Sequence, residues 1–307
     1  MAAVVLHWRN RADTERCVRS LLEGGGPERV LLLDNGSGEG AALLAAFAGD
    51  PRVEPASLSR NRGFAGGVNE GVRRAREGGA SEILLLNGDA VLEPGTAALL
   101  REALGRDPGS AAAGPLILED DGSGRAWFAG GRVAAAFGLA VHFGAGRDAA
   151  DLPRGARPVG FLTFCAVLVR SAAWERVGPL DEEFFAYGED ADWCLRARAA
   201  GLSLVHEPAA RARHRGGAAV GRRSPLQAYL LARSAVLLVR KRCGPLARYL
   251  VFWPWMLGVR GPHEALRALL LGRPAAAAAG LRGLLDGARG GAPRAFRGAL
   301  GLDGVSA

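Results

Sequence analysis

The chain has 307 residues, of which 49% are hydrophobic and 23% charged, with 45 glycines and a formal net charge of +8. This composition is that of a globular protein, long enough to bury a full core in about two domains, and it excludes a disordered chain. The four cysteines lie far apart with no CxxC pair, which indicates neither a zinc site nor a disulfide framework and fits buried free thiols in a reducing compartment.

The positive charge is concentrated at the C-terminal end. Residues 1–222 carry 26 Lys and Arg against 28 Asp and Glu, whereas residues 223–307 carry 13 against 3. The arginines of this tail are interleaved with long apolar runs, which suits an anionic membrane surface better than nucleic acid. We therefore expect no nucleic-acid partner and a peripheral membrane contact through residues 223–307.

The N-terminal sequence and the apolar runs bear on the cellular compartment. The chain opens on MAAVVLHW, without the charged and apolar regions of a signal peptide. Its longest apolar run, YLVFWPWMLGV at 249–259, is much shorter than the about 20 residues of a spanning helix. These features predict a cytoplasmic protein, peripheral on the inner face of the cell membrane where it touches lipid.

Short apolar strands alternate with helices from the N-terminus to residue 89. The predicted strands and the segments between them are Ala2–Leu6, an amphipathic helix to Leu22, Val30–Leu33, a helix over roughly 41–48, a strand from Val53, the glycine loop SRNRGFAGGVNEG, a helix ending near Gly78, and Ile83–Leu86. This alternation predicts an α/β fold in which a mostly parallel sheet is flanked by helices.

Polar residues follow each of these strands. Ligands of open α/β sheets bind beyond the carboxyl ends of the strands. His7, Asp34, the 59–63 segment and Asp89 stand at those ends and are candidate site residues.

The remaining chain divides into two parts. Between about 115 and 160 the sequence is glycine-rich and hairpin-like, as in WFAGGRVAAAFG, and strands over Val159–Arg170 and Leu202–His206 follow. From Pro225 the apolar spacing becomes helical. We predict an α/β domain over residues 1–222 and a basic helical extension over residues 223–307.

The sequence DNGS at 34–37 has several interpretations. Asp34 can accept a hydrogen bond from the N–H of a pyrimidine base, but all four residue types also form turns. Gly36, Gly38 and Ala41 fit the dinucleotide fingerprint G-x-G-x-x-A, with Glu54 beyond them. That fingerprint normally follows the first strand of its unit, and Glu54 lies somewhat short of the expected about 20 residues. No GxxxxGK[ST] occurs, which argues against P-loop chemistry.

Two further residues are candidate metal ligands. Asp89 ends a buried strand in the sequence Asn87-Gly88-Asp89, and His214 lies in the arginine-dense segment ARARHRGG. Mg²⁺ and Mn²⁺ prefer oxygen ligands and are commonly held by one or two carboxylates together with substrate phosphates, and an imidazole can complete such a shell. The alternatives are a second turn at Asp89 and a structural hydrogen-bonding role for His214.

The stretch FFAYGEDADWCLRARAAG at 184–201 gathers three carboxylates at the start of a predicted helix. The helix dipole stabilises ionised Asp190, whereas the like charges of Glu189 and Asp192 raise its pKa. This balance suits a general base that is ionised near neutral pH. Trp193, one turn on, is expected to offer a flat apolar surface for a sugar or a lipid-linked acceptor. Helix capping explains one or two of the carboxylates, but not the aromatics.

In this order, the motifs resemble those of the family 2 nucleotide-sugar glycosyltransferases of the GT-A fold, particularly the bacterial rhamnosyltransferase-like branch. The resemblance covers roughly residues 2–240. Its motifs are HWRN at 7–10, DNGS at 34–37, NRGFAGGVN at 61–69, LLLNGDAVL at 84–92 and GPLDEEFFAYGEDADWCLRARAAG at 178–201. Each motif is weak alone, but five in the family's order are a strong signal.

The resemblance implies a binding site for a nucleoside-diphosphate sugar. Asp34 would bind the base with help from the backbone near His7. Asn61, Gly63 and Asn69 would shape the wall around base and ribose.

The resemblance also implies a metal site. Asp89 matches the remaining carboxylate of the family's DxD motif and would hold Mg²⁺ or Mn²⁺ against the diphosphate. Asn87 stands where the DxD motif has its first Asp, and it would contact the nucleotide sugar. His214 matches a late histidine of the family that can join the metal.

The reaction that the resemblance implies is a single displacement with inversion at the anomeric carbon. Asp190 matches the catalytic base of the family's ED motif, with Glu189 and Trp193 on the acceptor side. The implied donor is dTDP-rhamnose or a UDP-sugar, and the acceptor is a saccharide, a lipid-linked sugar or a small molecule. Arg233 matches an arginine that relatives place at the start of their C-terminal helices.

Other classes of protein stay open at this point. One is a different nucleotide-binding enzyme, either a sugar nucleotidyltransferase or an NAD(P)-dependent oxidoreductase, and another is a non-catalytic scaffold that docks on membranes. HWRNRADTE lacks the glycine- and arginine-rich loop that nucleotidyltransferases usually carry after the first strand.

The basic tail also allows two arrangements. Arg240-Lys241-Arg242 and Arg248 flank the aromatic run 249–255, which predicts a position at the membrane interface. The alternative is a helical hairpin packed on the α/β domain or on a second subunit of a homodimer.

Overall fold

The computed structural model describes residues 1–216, 221 and 224–300. The strands are β1 (Ala2–His7), β2 (Arg29–Asp34), β3 (Val53–Ser57), β4 (Glu82–Asn87), β5 (Ala90–Leu92), β6 (Ser110–Glu119), β7 (Ala126–Phe128), β8 (Gly131–Ala134), β9 (Leu139–His142), β10 (Arg157–Pro158), β11 (Ala166–Arg170) and β12 (Ser203–His214). The helices are α1 (Arg11–Glu23), α2 (Gly40–Ala45), α3 (Gly63–Glu77), α4 (Thr96–Arg106), α5 (Ser171–Val177), α6 (Glu189–Ala199), α7 (Pro225–Arg242), α8 (Pro245–Ala247), α9 (Trp253–Trp255), α10 (Gly261–Leu270) and α11 (Pro274–Arg289). Two π-helical turns, Arg248–Phe252 and Met256–Arg260, join α8, α9 and α10.

One large sheet organises the α/β domain. Its strand order is β10-β12-β6-β11-β4-β1-β2-β3, with β5 and β7 paired at β12 and β6. The strands β3, β2, β1, β4, β6 and β12 all run in the same direction, and β11 lies antiparallel between β4 and β6. The prediction of a mostly parallel sheet flanked by helices is confirmed.

The glycine loop predicted before the third helix is largely helix. α3 begins at Gly63, and its residues Gly67 and Gly71 face β1 instead of forming a turn. A Cβ added at Gly67 would meet the Leu6 side chain at 2.5 Å, and one at Gly71 would meet Val4 at 2.3 Å. These glycines therefore let the helix pack closely on the sheet, a role that turn propensity does not distinguish from a loop.

Two strands are longer than the sequence pattern indicates. β6 covers ten residues at the start of the glycine-rich region, and nine of them are buried. Its run SAAAG has little of the β-branched and aromatic character that predicts a strand. β12 extends past the predicted end at His206 to His214, where its register with β5 places His214 opposite Ala90.

The C-terminal extension packs on the α/β domain. α7 lies along α11, where Gly283 and Gly287 allow close approach: a Cβ at Gly283 would meet the Tyr229 carbonyl oxygen at 2.2 Å. The predicted domain boundary at residues 222–223 lies outside the described residues. Within the described part of the chain, no helix combines the length and the hydropathy that crossing a bilayer requires.

The basic residues predicted to flank the aromatic run contact the protein itself. Arg240 Nη1 donates to the Gly287 carbonyl at 2.7 Å, and Arg248 donates to the Arg240 carbonyl at 3.0 Å. Lys241 and Arg242 pair with carboxylates next to α6, as described below. Hydrogen bonds and ion pairs thus hold these four residues against the fold, and the membrane contact predicted for the tail stays a prediction.

Candidate active site

A cavity of about 590 Å³ opens at the carboxyl ends of β1 and β4. Its volume is in the range of about 300–1,000 Å³ that small-molecule sites occupy. Seven of the eleven predicted site residues line it, namely Asn61, Gly63, Asn87, Asp89, Glu189, Asp190 and His214. The other four, His7, Asp34, Asn69 and Trp193, are absent from its wall.

A network of amides forms one end of the cavity. Asn35 Nδ2 donates to Asn61 Oδ1 and to the Gly63 carbonyl, both at 2.9 Å. Asn61 Oδ1 also accepts from the Gly63 N–H at 2.7 Å, while its Nδ2 donates to the Leu300 carbonyl at 2.9 Å. Gly63 has φ +72°, and a Cβ there would meet the Phe185 carbonyl oxygen at 2.4 Å. Within DNGS the resemblance indicates Asp34 as the base-binding residue, whereas the next residue, Asn35, is the one that lines the cavity.

Asp34 and His7 lie behind this wall. Asp34 Oδ1 accepts from the Ser37 N–H at 3.0 Å, so DNGS forms the turn that its composition allows. His7 Nδ1 lies 2.8 Å from Thr14 Oγ1, and its Nε2 lies 3.4 Å from Glu39 Oε2. Burial lowers the pKa of His7 despite the nearby carboxylates. Both side chains are buried and absent from the cavity wall. Base binding by Asp34, with help from the backbone near His7, stays a prediction.

Asn69 and Trp193 support the chain that leads to α6. Asn69 donates to and accepts from the backbone of Leu180, with both distances 2.9 Å. Trp193 is fully buried, its indole N–H donates to the Gly178 carbonyl at 3.0 Å, and its ring stacks on Trp174. The expected open surface for an acceptor is wrong, because this position of α6 faces the core.

Strand pairing brings Asp89 and His214 together. His214 Nε2 lies 3.0 Å from Asp89 Oδ1, and the Arg215 N–H donates to the Asp89 carbonyl. The Trp127 ring meets His214 edge-on, 4.6 Å between centroids, and fixes the imidazole plane. Burial lowers the pKa of His214, but the contacts with Cys165 and Asp89 outweigh it and raise the pKa well above its usual value.

Two buried atoms beside this pair have no hydrogen-bond partner within the described ranges. They are Asn87 Oδ1 and His214 Nδ1. A carboxylate, an amide oxygen without a donor and an imidazole that gives up its proton to the metal are a donor set that fits Mg²⁺ or Mn²⁺. The described residues contain no cluster of three or more His, Cys, Asp or Glu side chains that could hold a metal. Ions of this kind usually complete their coordination with water and substrate phosphates.

The carboxylates at the start of α6 have three different environments. Glu189 is buried, and burial and the charge of Asp190 raise its pKa well above the usual value. Asp190 is partly exposed at the cavity wall, and burial raises its pKa to about 6 against hydrogen bonds from the N–H groups of Ala191 (2.7 Å) and Phe164 (3.4 Å). Asp192 is enclosed and pairs with Arg196 and Arg242. Burial, more than repulsion between like charges, is therefore what raises the pKa of Asp190.

The backbone directly before α6 is strained. Phe185 and Tyr187 have φ of +66° and +67°, a region that bulky residues rarely occupy. α7 holds this segment at several points: Arg233 donates to the Phe184 carbonyl at 3.1 Å, and Ser234 donates to the Ala186 carbonyl at 3.2 Å. Arg233 is fully buried, which gives this arginine a supporting position that the sequence did not reveal.

Ion pairs attach the end of α7 to the same region. Lys241 Nζ lies 2.7 Å from Asp181 and 2.5 Å from Glu183, and Arg242 pairs with Asp192. One face of α7 then continues as cavity wall, with Gln227, Leu230, Leu231, Ser234, Ala235 and Leu238. The extension thus forms part of the site as well as a cover for the domain.

Comparisons with known proteins agree with this architecture. Residues 3–177 match the family described as glycosyl transferase family 2. The chain is 33% identical over 213 residues to an N-acetylglucosaminyl-diphospho-decaprenol L-rhamnosyltransferase of Mycobacterium tuberculosis, an alignment that covers 64% of this chain and 69% of the relative.

Two solved structures show the fold. A mannosyltransferase from Pyrobaculum calidifontis, in complex with GDP-Man and Mn²⁺, matches with a TM-score of 0.57 and 15% identity over 94% of this chain and 86% of its own. GalNAc-T7 with UDP, GalNAc and Mn²⁺ matches with a TM-score of 0.59 and 13% identity, covering 78% of this chain and 47% of that longer one. The fold is the predicted GT-A fold. The chain belongs to glycosyl transferase family 2 and is a glycosyltransferase.

Proposed function

We propose that the protein transfers a sugar from a nucleoside-diphosphate donor to an acceptor hydroxyl with inversion at the anomeric carbon. The observation that carries this proposal is that Asp89, at the end of β4, and Asp190, at the start of α6, line one cavity. A diphosphate at Asp89 and a base at Asp190 would then stand on either side of the transferred sugar. dTDP-rhamnose is the leading donor, because the mycobacterial relative is a rhamnosyltransferase, and a UDP-sugar is the alternative.

Asp190 is suited to act as the general base. With a pKa of about 6 it is ionised at neutral pH and is still basic enough to take the proton of the acceptor hydroxyl as the new glycosidic bond forms. Burial and the charge of Asp190 raise the pKa of Glu189, which favours a protonated Glu189 beside an ionised Asp190. Inversion follows from a single displacement, in which no enzyme nucleophile is needed.

Asp89, His214 and Asn87 would hold the Mg²⁺ or Mn²⁺ ion. Such an ion, when bound, offsets the charge that develops on the departing diphosphate. Asn35, Asn61 and Gly63 would shape the wall around base and ribose, beside Asp34. This assignment is supported by their position on the wall at the amide-lined end of the cavity.

A donor panel tests the proposal. The purified protein is incubated with dTDP-rhamnose and with UDP- and GDP-sugars, with and without Mn²⁺ or Mg²⁺, and donor hydrolysis is read by mass spectrometry. We expect one donor to be consumed in a metal-dependent way. The proposal would be contradicted if no donor were hydrolysed and no nucleotide sugar raised the melting temperature of the protein.

We also infer that the extension rests on an anionic membrane. Exposed leucines and arginines alternate on α10, on α11 and between them, namely Leu266, Arg267, Leu269, Leu270, Leu271, Arg273, Leu281 and Arg282. Apolar side chains beside arginines are the composition of an interfacial surface. The lipid-linked acceptor in the name of the mycobacterial relative supports the same position.

Liposome co-sedimentation tests this surface. We expect binding to vesicles with anionic lipid at low salt, weaker binding to neutral vesicles, and loss of binding in Leu269→Glu/Leu270→Glu. Light scattering of the same variant reports the alternative, a homodimer through this face. A wild-type dimer that the variant converts to a monomer, without vesicle binding, would contradict the membrane surface.

A further inference from the structure

Arg260 is a cavity-wall residue that the chemistry proposed above does not use. It ends the second π-helical turn of the extension and lines the cavity. Its Nη1 is buried and has no acceptor within the described ranges, while the guanidinium lies 5.4 Å from the centroid of the Trp255 ring. Burial lowers the pKa of Arg260, although a guanidinium stays charged in proteins. A buried, charged N–H group without an acceptor is costly, and an anion in the cavity would satisfy it.

α7 shows at which end of the cavity Arg260 lies. Near the start of the helix, Leu226 and Leu230 pack with Leu300, whose carbonyl accepts from Asn61 at the amide-lined end. Further along, the backbone of Ala235 touches Gly138.

The next contacts lead away from the amide-lined end. Phe137 meets Trp255, with 5.2 Å between centroids, and Arg260 lies over Trp255. The cavity-facing residues of α7 run from Gln227 to Leu238, about 16 Å along the helix axis at 1.5 Å per residue. Arg260 therefore lies towards the end of the cavity opposite Asn61, away from the proposed base and ribose.

We propose that Arg260 binds a phosphate group of the acceptor, so that the acceptor is a sugar carried on a phosphate- or diphosphate-linked lipid. This inference rests on the proposed function, which assigns the donor diphosphate to Asp89 and leaves the anion at Arg260 to the second substrate. A guanidinium matches phosphate with two parallel hydrogen bonds. Leu257 and Val259, on the same turn, are 63% and 60% exposed and offer an apolar path for the lipid chain.

Paired acceptors separate the phosphate contact from the chemistry. One acceptor is a short-chain polyprenyl-diphospho-N-acetylglucosamine, and the other is an alkyl glycoside of the same sugar without phosphate. For Arg260→Ala we expect the KM for the diphosphate acceptor to rise about tenfold or more, since a charge-assisted contact is lost. The KM for the alkyl glycoside and the KM for the donor should change less than about twofold. Arg260→Lys should restore part of the affinity, because Lys keeps the charge but loses the paired geometry.

A binding measurement provides a readout besides activity. Calorimetry with farnesyl diphosphate, in the presence of saturating nucleoside diphosphate and Mg²⁺, should show weaker binding to Arg260→Ala than to wild type. Arg154→Ala, in an exposed loop away from the cavity, is the control, and thermal melting confirms that each variant is folded. An equal change in KM for the two acceptors in Arg260→Ala, or a rise in donor KM instead, would overturn the inference. Failure of the wild-type protein to consume any donor would instead contradict the proposed function.

Discussion

The cavity has two walls with different origins. The sheet wall consists of the residues at the ends of β1 and β4, the start of α6 and the end of β12, and it carries Asp89, Asp190 and His214. The helix wall consists of one face of α7 together with Arg260. The sheet wall carries the groups proposed for the chemistry. The helix wall holds the strained segment 184–188 in place and supplies Arg260, whose Nη1 has no acceptor among the described residues. We therefore expect residues of the sheet wall to carry out the transfer, and the extension to shape the cavity and select the acceptor.

Removal of the proposed base should lower the transfer rate more than any change to the helix wall. A smaller effect would contradict the division of roles between the two walls. Asp190→Asn keeps the shape of the side chain but cannot accept the proton, and general bases contribute about 100- to 10,000-fold. We expect kcat for transfer to fall at least about 100-fold, with little change in donor KM. Asp50→Asn, at an exposed turn where Asp50 pairs with Arg52, is the matched control. Transfer at more than a tenth of the wild-type rate would remove Asp190 from the base role.

The helix wall can be weakened without touching the sheet wall. Arg233→Met removes the donor to the Phe184 carbonyl and should let the strained segment relax, moving Asp190. Because a misplacement of about 1 Å can cost about 100-fold in rate, we expect kcat to fall at least tenfold, with partial rescue in Arg233→Lys. Hydrogen exchange should increase in residues 184–188. The exposed Arg289→Met serves as control, and unchanged kcat and exchange would show that α7 is only a cover.

The two walls also differ in how far the sequence predicts them. Asp89 could be predicted at the cavity, because the carboxyl ends of parallel strands meet at one edge of the sheet. His214 could be predicted only through the resemblance, because the strand that carries it was expected to end at His206. The helix wall could not, because helical periodicity identifies an apolar face but not the surface that it covers. The prediction of an open surface at Trp193 is wrong for the same reason. The spacing places Trp193 one turn from Asp190 but does not indicate that this side of α6 faces Trp174. No sequence motif indicates Arg260 as a site residue, and its place in the cavity wall beside Trp255 is known from the structure.

The pH dependence of the rate sharpens the assignment within the sheet wall. The pKa of Asp190 is raised to about 6, so the base is protonated below that value and kcat/KM should fall about tenfold per pH unit as the pH drops through it. Because burial and the charge of Asp190 raise the pKa of Glu189 and favour its neutral form, Glu189→Gln should move this midpoint by less than about half a unit. A midpoint that falls by a full unit in Glu189→Gln would show that Glu189 is charged in the working enzyme.

The smallest expected effect distinguishes a core tryptophan from a binding surface. In Trp193→Phe the Gly178 carbonyl loses its indole donor at 3.0 Å and a small void opens beside Trp174. We expect the free energy of unfolding to fall by about 1–2 kcal/mol, measured by urea denaturation, because a buried acceptor loses its partner. The KM for the acceptor should not change, since no part of the ring reaches the cavity. The reverse result, a raised acceptor KM at unchanged stability, would mean that α6 turns this face outward during catalysis and that the sheet wall is less rigid than its packing implies.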